Sequence, residues 1–563
     1  MLARLFQLYY AIKYLPLRLW HLRGPMERKG FVGIQIDGLA HAHLEEALQR
    51  GLLPRLRRRL DRHEYKLHAF PAGLPSATSY AQAGFFYGVN DNIPAFRWYE
   101  REDRKVVNCN RPHSAEYLRR RIGERKGVLR GGSSYVNLID GDADRVALTA
   151  NSSVPRPFFE ELGGFRILLL ILLHPVRVLM TLVATVREVF LELYDRYLAG
   201  EKRHAVAEGW FPLVRALSSV VLREVQTVAV MADVYAGVPY IFTTFASYDE
   251  LGHHYGPASR PALKNLRPIF GRILEIEKII RRLPGRHYDL IVLSDHGQTP
   301  GHSFLGLFEA TLGEALHQHL EGRRVRVEAG HMDVPLAGTR GIYADHVRRQ
   351  AAHRSFVTRA LRHALARWLQ RMTSIETYTP EKYYVDQEND VVVTYSGTLA
   401  LVYFSRFPHR LSDGQLRQAF PEVLHFLVHH PGIGLVVTQD DEGGAILRSE
   451  QGTARLRDGQ LDLLDGHDPL AVYKPGPIAL RALERLAGFT NAGDLMLFGA
   501  YDGANIVCFD DQVGSHGCLG GPQFWPFLLV PNDPRFDQVA ITDPRDFYAQ
   551  VFEPYHPPDD TPD

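Results

Sequence analysis

The peptide Leu293-Ser-Asp-His-Gly297 follows the apolar run 290–292, so Asp295 and His296 sit side by side where a buried strand should end. Open α/β sheets place their chemistry at such strand ends. A carboxylate beside an imidazole suits a borderline ion such as zinc; an aspartate that merely orients a histidine for packing is the structural alternative. Asp249 and His253, in DELGH, directly follow the apolar run 240–245 and lie four residues apart. On a helical turn that spacing puts both on one face. Asp37 closes the run FVGIQI, 31–36, where it can ligate a metal or cap the helix after it. Thr78, in PSATSY, is a hydroxyl at an expected helix N-terminus, where free backbone N–H groups help an alkoxide form and stabilise a phosphate. Thr78, Ser79 or Ser76 can equally be only the N-cap. His516, in GSHG, is flanked by glycines that permit close backbone approach, as would any glycine-rich turn. Jointly these segments offer three aspartates, three histidines and a hydroxyl nucleophile, enough for two ions with open positions and for a two-metal hydrolase.

The elements that must position these groups read as a doubly wound α/β domain. Run 31–36 is a strand, and 40–60 follows with the helical spacing of Leu44, Ala47, Leu48, Leu52 and Leu56. A strand is expected at 66–70. A helix should run from Thr78 to Tyr87, ended by Gly88. Residues 135–150 mix a short strand with the acidic turn 140–144. Residues 155–232 read as apolar and mostly helical. Then come strand 240–245, a helix at about 260–283 and strand 290–293. Residues 305–470 combine helical pieces rich in Arg and His (347–371) with strands at 391–395, 399–404 and 434–438 and a hairpin at Asp458-Gly459. The core is expected to resume with strands 495–498 and 506–509. The division is therefore 1–29, an N-terminal amphipathic segment; 30–304, the first part of the catalytic core, with the helical insertion at about 155–232; 305–470, an inserted cap region of α+β character; 471–545, the second part of the core, carrying His516; and 546–563, a tail.

Composition excludes several classes. The 563 residues carry 65 Lys+Arg against 64 Asp+Glu, so no global field favours a nucleic-acid polymer. Three cysteines, Cys109, Cys508 and Cys518, form neither a disulfide framework nor a metal knuckle; a Cys508–Cys518 pair is disfavoured. Segment 1–23 is apolar, aromatic and basic but broken by Arg4, Lys13, Pro16 and Arg18. It reads as an interfacial amphipathic helix or as a terminal helix packed on its own domain. Segment 167–186 is long enough to span a bilayer, but Arg177 makes a buried or surface-docking helix pair the better reading. Arg23, Arg28 and Lys29 lean towards the cytoplasmic side, with the protein peripheral to or anchored in the membrane.

On these residues the chain resembles the alkaline phosphatase superfamily, and within it the type I phosphodiesterase/nucleotide pyrophosphatase group. The resemblance rests on Asp37 in QIDG, Thr78 in PSATSYAQAGFFYG, Asp249 and His253 in DELGHHYGP, Asp295 and His296 in SDHG, and His516 in GSHG, in that order. IPAFRWYE (93–100) and GSHGCLGGPQ (514–523) resemble more closely a bacterial subgroup of unassigned substrate, sometimes joined to holin-like membrane segments. The likeness covers about 30–300 and 490–530. It implies an alkaline-phosphatase-like three-layer sandwich, with a mostly parallel sheet and helices on both faces. It also implies two divalent ions, zinc by expectation and manganese as the alternative. One ion would take Asp37, Asp295, His296 and the Thr78 oxygen, the other Asp249, His253 and His516, and Thr78 would form a phospho-threonine intermediate. The implied substrate is a small phosphodiester or pyrophosphate. The chain departs from the nucleotide pyrophosphatases after Thr78, reading Ser-Tyr-Ala-Gln where they carry Phe-Pro-Asn-His. The phosphate-holding asparagine thus lacks a counterpart, and Gln82, Arg97 or Asn110 are its candidate substitutes. Trp98 or Tyr99 would stack a base or pack a glycerol-like group, unless this aromatic stretch is simply core. Two rival functions remain. One is a membrane-associated phosphotransferase or hydrolase acting on lipid-linked phosphate headgroups, motivated by the apolar segments. The other is a catalytically dead scaffold or binding member, which predicts neither metal nor turnover.

Overall fold

The computed structural model describes residues 26, 28–111, 114–149, 175–197, 211–320, 323–328, 384–386 and 389–557. The readings of 1–23, of 150–174 and of a helical stretch at 347–371 lie outside them.

Seven strands form the first sheet, in the order Tyr65–Ala69, Phe527–Pro531, Tyr288–Leu293, Gly30–Ile36, Tyr240–Phe245, Ser133–Tyr135, Arg145–Ala147. Gly30–Ile36 runs parallel to both neighbours, and the last two strands continue the parallel set. Phe527–Pro531 pairs antiparallel on both sides, so the sheet is mixed but largely parallel. Strands inside a covered parallel sheet must be apolar on both faces, and Gly30–Ile36 is buried throughout. Phe31 packs with Phe242, Ile291 and the helix Thr78–Tyr87 on one side. Val32, Ile34 and Ile36 pack with helices His41–Gln49, Arg223–Ala236 and Arg260–Ile280 on the other. This alternation, period two along the strand, makes the three layers.

The single helix expected over 40–60 is two, His41–Gln49 and Pro54–Asp61. Gly51 adopts φ +69° between them, and Pro54, which lacks a donor N–H, starts the second. Residues 547–556 are not a tail. Phe547, Phe552 and Tyr555 are buried, and Phe552 lies 5.0 Å from the Phe31 ring; the aromatic spacing of this stretch was the overlooked signal.

A second sheet of eight strands has the order Val325–Glu328, Val391–Ser396, Leu399–Phe404, Leu495–Gly499, Ile433–Gln439, Ala445–Ser449, Gly452–Arg457, Gln460–Gly466. Asp458 and Gly459, both with positive φ, make the expected hairpin turn. Leu495–Gly499, expected in the resumed core, lies instead inside this second sheet, between Leu399–Phe404 and Ile433–Gln439. The chain returns to the first sheet only at Phe527–Pro531. A small sheet of Thr299–Ser303, Ile506–Cys508 and Gly514–Ser515 bridges the two parts. The three cysteines are buried thiols outside any disulfide.

Candidate active site

Register brings the chemistry together. Ile36 pairs with Phe245 and Gln35 with Leu293, so the three central strands end level. Asp37 follows the first strand directly, Asp295 follows the third by two residues, and Asp249 sits one helical turn past the second. Neither capping role offered for Asp37 and Thr78 is realised. The helix after Asp37 has Ala40 at its N-cap and no side-chain cap. The Thr78 helix has Ala77 at its N-cap, likewise without one, which leaves the Thr78 hydroxyl available to the site.

Thr78 Oγ1 lies 3.5 Å from Asp37 Oδ1 and 3.2 Å from His296 Nε2. His296 Nε2 is 3.2 Å from Asp295 Oδ2 and 3.9 Å from Asp37 Oδ1. Potential ligand atoms of Asp37, Asp295 and His296 all fall within 4.8 Å of one another, as do those of Asp249, His296 and His516. His253 joins the second group through Asp249, Nε2 to Oδ2 at 3.0 Å, on the helix Ser247–Tyr255. The His253 and His516 rings lie 5.2 Å apart, and those of His296 and His516 stack at 3.6 Å. His296 thus stands between the two groups and touches both. All seven residues named from the sequence as metal site and nucleophile converge here.

The donor set fits divalent ions. Each histidine meets a backbone carbonyl through Nδ1: His253 that of Gly514 at 2.8 Å, His296 that of Gly297 at 3.0 Å, and His516 that of Ser76 at 2.7 Å. A donor proton on Nδ1 leaves Nε2 with its lone pair for a metal, the usual outer-shell arrangement of a histidine ligand. Among the described residues the ion pairs of Asp37, Asp249 and Asp295 are with histidine alone, and all three carboxylates are buried. Asp295 Oδ2 is buried without a hydrogen-bond partner. Three buried carboxylates with no arginine or lysine call for a cation. The protonation pattern reflects that crowding. Burial, then the charges of Asp295 and Asp249, push the Asp37 carboxyl well above its ordinary value. Burial alone would raise Asp249 too, but His253, His516 and His296 outweigh it and hold it low. Burial and the facing His296 push His516 well below the usual imidazole value.

Gly38 is demanded twice over. Its φ is +69°, and a Cβ there would meet Asp249 Oδ1 at 2.1 Å. Other positioning groups escaped the sequence reading. Gln35 Nε2 donates to Asp37 Oδ1 at 3.3 Å. Gln298 Nε2 donates to the Asp249 carbonyl at 3.0 Å. Ser294 Oγ accepts from Leu39 N–H and donates to the His296 carbonyl. Gln35 and Ser294 flank recognised motif residues, and Gln298 lies two beyond His296. Position alone, however, does not reveal which neighbour a side chain will meet.

The substrate-contact expectations fare differently. Gln82 is buried, donating to Gln35 Oε1 at 3.0 Å and accepting from the N–H groups of Leu138 and Ile139. Arg97 is buried too, donating to the Tyr395 carbonyl at 2.6 Å and facing Asp510 at 3.4 Å. Trp98 is fully buried, its Nε1 donating to Glu100. Tyr99 lies in the same core. Asn110 is buried beyond the strand Lys105–Asn108, its N–H on Asn108 Oδ1. Arg97 and Trp98 are thus committed to the interior because the hairpin carrying FRWYE is wedged under the second sheet, and Gln82 because its helix packs against the first sheet, where it meets Gln35 and Thr244.

Residues 199–460, just under half of the chain, match the family of type I phosphodiesterase / nucleotide pyrophosphatase. The chain resembles the type I phosphodiesterases. The matched stretch contains Asp249, His253, Asp295 and His296 and extends into the region beyond 305, which the motifs had not covered. Asp37, Thr78 and His516 lie outside it and are brought in by the fold. No curated protein sequence matches the chain. Among solved structures, phosphonoacetate hydrolase from Sinorhizobium meliloti 1021 in complex with phosphonoformate is 15% identical, with 94% of this chain and 95% of that one covered and a TM-score of 0.41. The alkaline phosphatase PafA is 11% identical, with 90% and 92% covered and a TM-score of 0.45. An inactive variant of murine ectonucleotide pyrophosphatase / phosphodiesterase 5 in complex with AMP is 12% identical, with 94% and 95% covered and a TM-score of 0.42. The architecture is a three-layer sandwich, a largely parallel sheet between helices, as expected from the motifs.

Proposed function

We propose that this chain is a metal-dependent phosphoric ester hydrolase that cleaves small phosphodiesters or pyrophosphates through a covalent phosphate on Thr78. The observation that carries this reading is the convergence of three lysine- and arginine-free carboxylates and three carbonyl-oriented imidazoles on one partly exposed hydroxyl. Asp37, Asp295, His296 and the Thr78 oxygen would hold one ion, and Asp249, His253 and His516 the other. Divalent ions, zinc by the donor chemistry, supply a lowered hydroxyl pKa and neutralisation of the leaving oxygen when bound.

Thr78 does the covalent work. Its Oγ1, oriented by Asp37 Oδ1, attacks phosphorus as the bond to the leaving oxygen breaks in line, and the alcohol or phosphate leaves with that electron pair. Water then attacks the phospho-threonine and the threonine oxygen departs. The N-terminus of the Thr78 helix directs free N–H groups to the phosphate oxygens. Because Gln82 and Arg97 are engaged elsewhere, those amides take the phosphate-holding part.

The test is the metal content of the purified protein with hydrolysis of bis-p-nitrophenyl phosphate and p-nitrophenyl phosphate, with and without chelator. Two zinc-class ions per chain with chelator-sensitive diester cleavage is the expected result. A preference for the monoester would make it a phosphatase. Absence of both metal and turnover would overturn the proposal in favour of a binding role.

A further inference from the structure

Helix Pro175–Tyr197 is built the wrong way out for a surface that faces water. Three of its four described charged side chains turn inward. Arg177 pairs with Glu224 at 2.8 Å and with Glu275 at 3.1 Å. Glu188 and Glu192, both buried, receive Arg215 at 3.0 and 2.6 Å, and Tyr255 donates to Glu192. Its outer side is apolar: Leu179, Met180, Leu182, Val183, Val186 and Phe190 are each 56 to 66% exposed. These positions recur every three or four residues and so form one continuous stripe. Among the described side chains of residues 177–194, the charged one that is exposed is Arg187.

In water this arrangement is unfavourable on both counts, since it wets apolar surface and dehydrates charge. Against acyl chains both terms reverse. A helix facing lipid turns its ionisable groups to the protein interior and pairs them there. Two further facts favour that occupant. The chain immediately before the helix, outside the described residues, carries the apolar run ILLLILL at 167–173, so the apolar character continues past the stripe. The exposed charge is a cation, suited to anionic headgroups. No helix among the described residues is long and apolar enough to cross a membrane, so the stripe lies against the bilayer as an interfacial surface. We propose that the outer face of Pro175–Tyr197 is a docking surface for a lipid bilayer containing anionic lipid. This does not depend on what the active site hydrolyses.

Flotation of the full chain with phosphatidylcholine vesicles, with and without phosphatidylglycerol, tests it. The wild type should co-float, more strongly with phosphatidylglycerol. A Leu182→Glu/Val186→Glu/Phe190→Glu variant should bind about tenfold or more weakly, with turnover of a soluble diester unchanged. Because the triple variant can fail to fold, a second probe is a Val183→Cys protein carrying an environment-sensitive dye; the native cysteines are buried. Its emission should shift to the blue on adding vesicles. Vesicle binding undiminished in the triple variant, with no shift from the dye, overturns the proposal. So does a wild type that ignores vesicles, whether it forms a dimer lost in the triple variant, which would assign the stripe to a second copy, or resists labelling at 183, which would assign it to the chain's own 150–174.

Discussion

Asp37 is held in place by a relay of two glutamines. Gln82 donates to Gln35, and Gln35 donates to Asp37. The Gln82 oxygen meanwhile accepts from two backbone N–H groups at 2.8 and 3.2 Å. A Gln82→Leu change would leave those amides and the Gln35 oxygen buried without partners. Each such orphan costs about 1–3 kcal/mol. Loss of outer-shell support lowers metal affinity by roughly 10- to 100-fold. Denaturant titration and zinc titration of the variant check both, and unchanged zinc affinity would mean that the relay serves stability alone. Thr78 is the opposite case. It caps nothing, so Thr78→Ala should change stability by less than about 0.5 kcal/mol and leave the metal content intact. Turnover should fall by roughly a thousandfold or more. Turnover within tenfold of wild type, measured on the diester, would remove Thr78 as nucleophile.

At the scale of elements, much of the site was legible because strand ends are local. A short apolar run followed by Asp marks a position in a parallel sheet without knowledge of its neighbours. The i, i+4 pair Asp249 and His253 needs only a helical turn. What register added is that the three ends are level, which no single run encodes. The roles of Gln82 and Arg97 were not legible, because each depends on a partner far off in sequence, such as Tyr395 for Arg97. A polar residue near a motif reads as a substrate contact until its real partner is known. Helix His41–Gln49 shows the same effect in a titratable group. His43 is buried in its apolar face, its Nδ1 without a hydrogen bond, and burial lowers its pKa to about 4. The folded value lies below the unfolded value of 6.5, so the unfolded chain binds the proton first as pH falls. Stability is full above pH 6.5 and declines towards pH 4. The loss is on the order of 3 kcal/mol at the low end. His43→Leu should therefore flatten the acid side of the stability curve between pH 6.5 and 4. Urea midpoints across that range are the measurement, and an unchanged slope would refute the assignment to His43.

The two large sheets meet at the loop that carries His516, and that meeting decides how the whole molecule holds its site. The hairpin joining Val391–Ser396 to Leu399–Phe404 reaches down to this loop: Thr398 N–H donates to the His516 carbonyl at 2.9 Å, and Gly397 N–H donates to Asp510 Oδ2 at 2.8 Å. Asp510 also faces Arg97, which comes from the hairpin beside the first sheet. One buried carboxylate therefore ties together the second sheet, the FRWYE hairpin and the His516 loop. The region 305–470 reads from the sequence as an inserted cap between two parts of the core, yet its strands take in Leu495–Gly499 from the second part and its hairpin supports a candidate metal ligand. Asp510→Asn preserves shape but removes the charge opposite Arg97. Breaking a buried ion pair by removing one of its charges costs about 3–5 kcal/mol. Its functional effect should be uneven. Asp37, Asp295 and His296 are set by the first sheet and should keep their ion, whereas the group that depends on His516 should lose its own. The variant should therefore fold with a lowered midpoint, carry close to half the wild-type metal and turn over diester poorly, with partial recovery in excess zinc. Metal analysis beside thermal denaturation separates this from simple destabilisation. If the Asp510 variant retains its full metal complement and its turnover while melting earlier, the second sheet supports the fold and not the site.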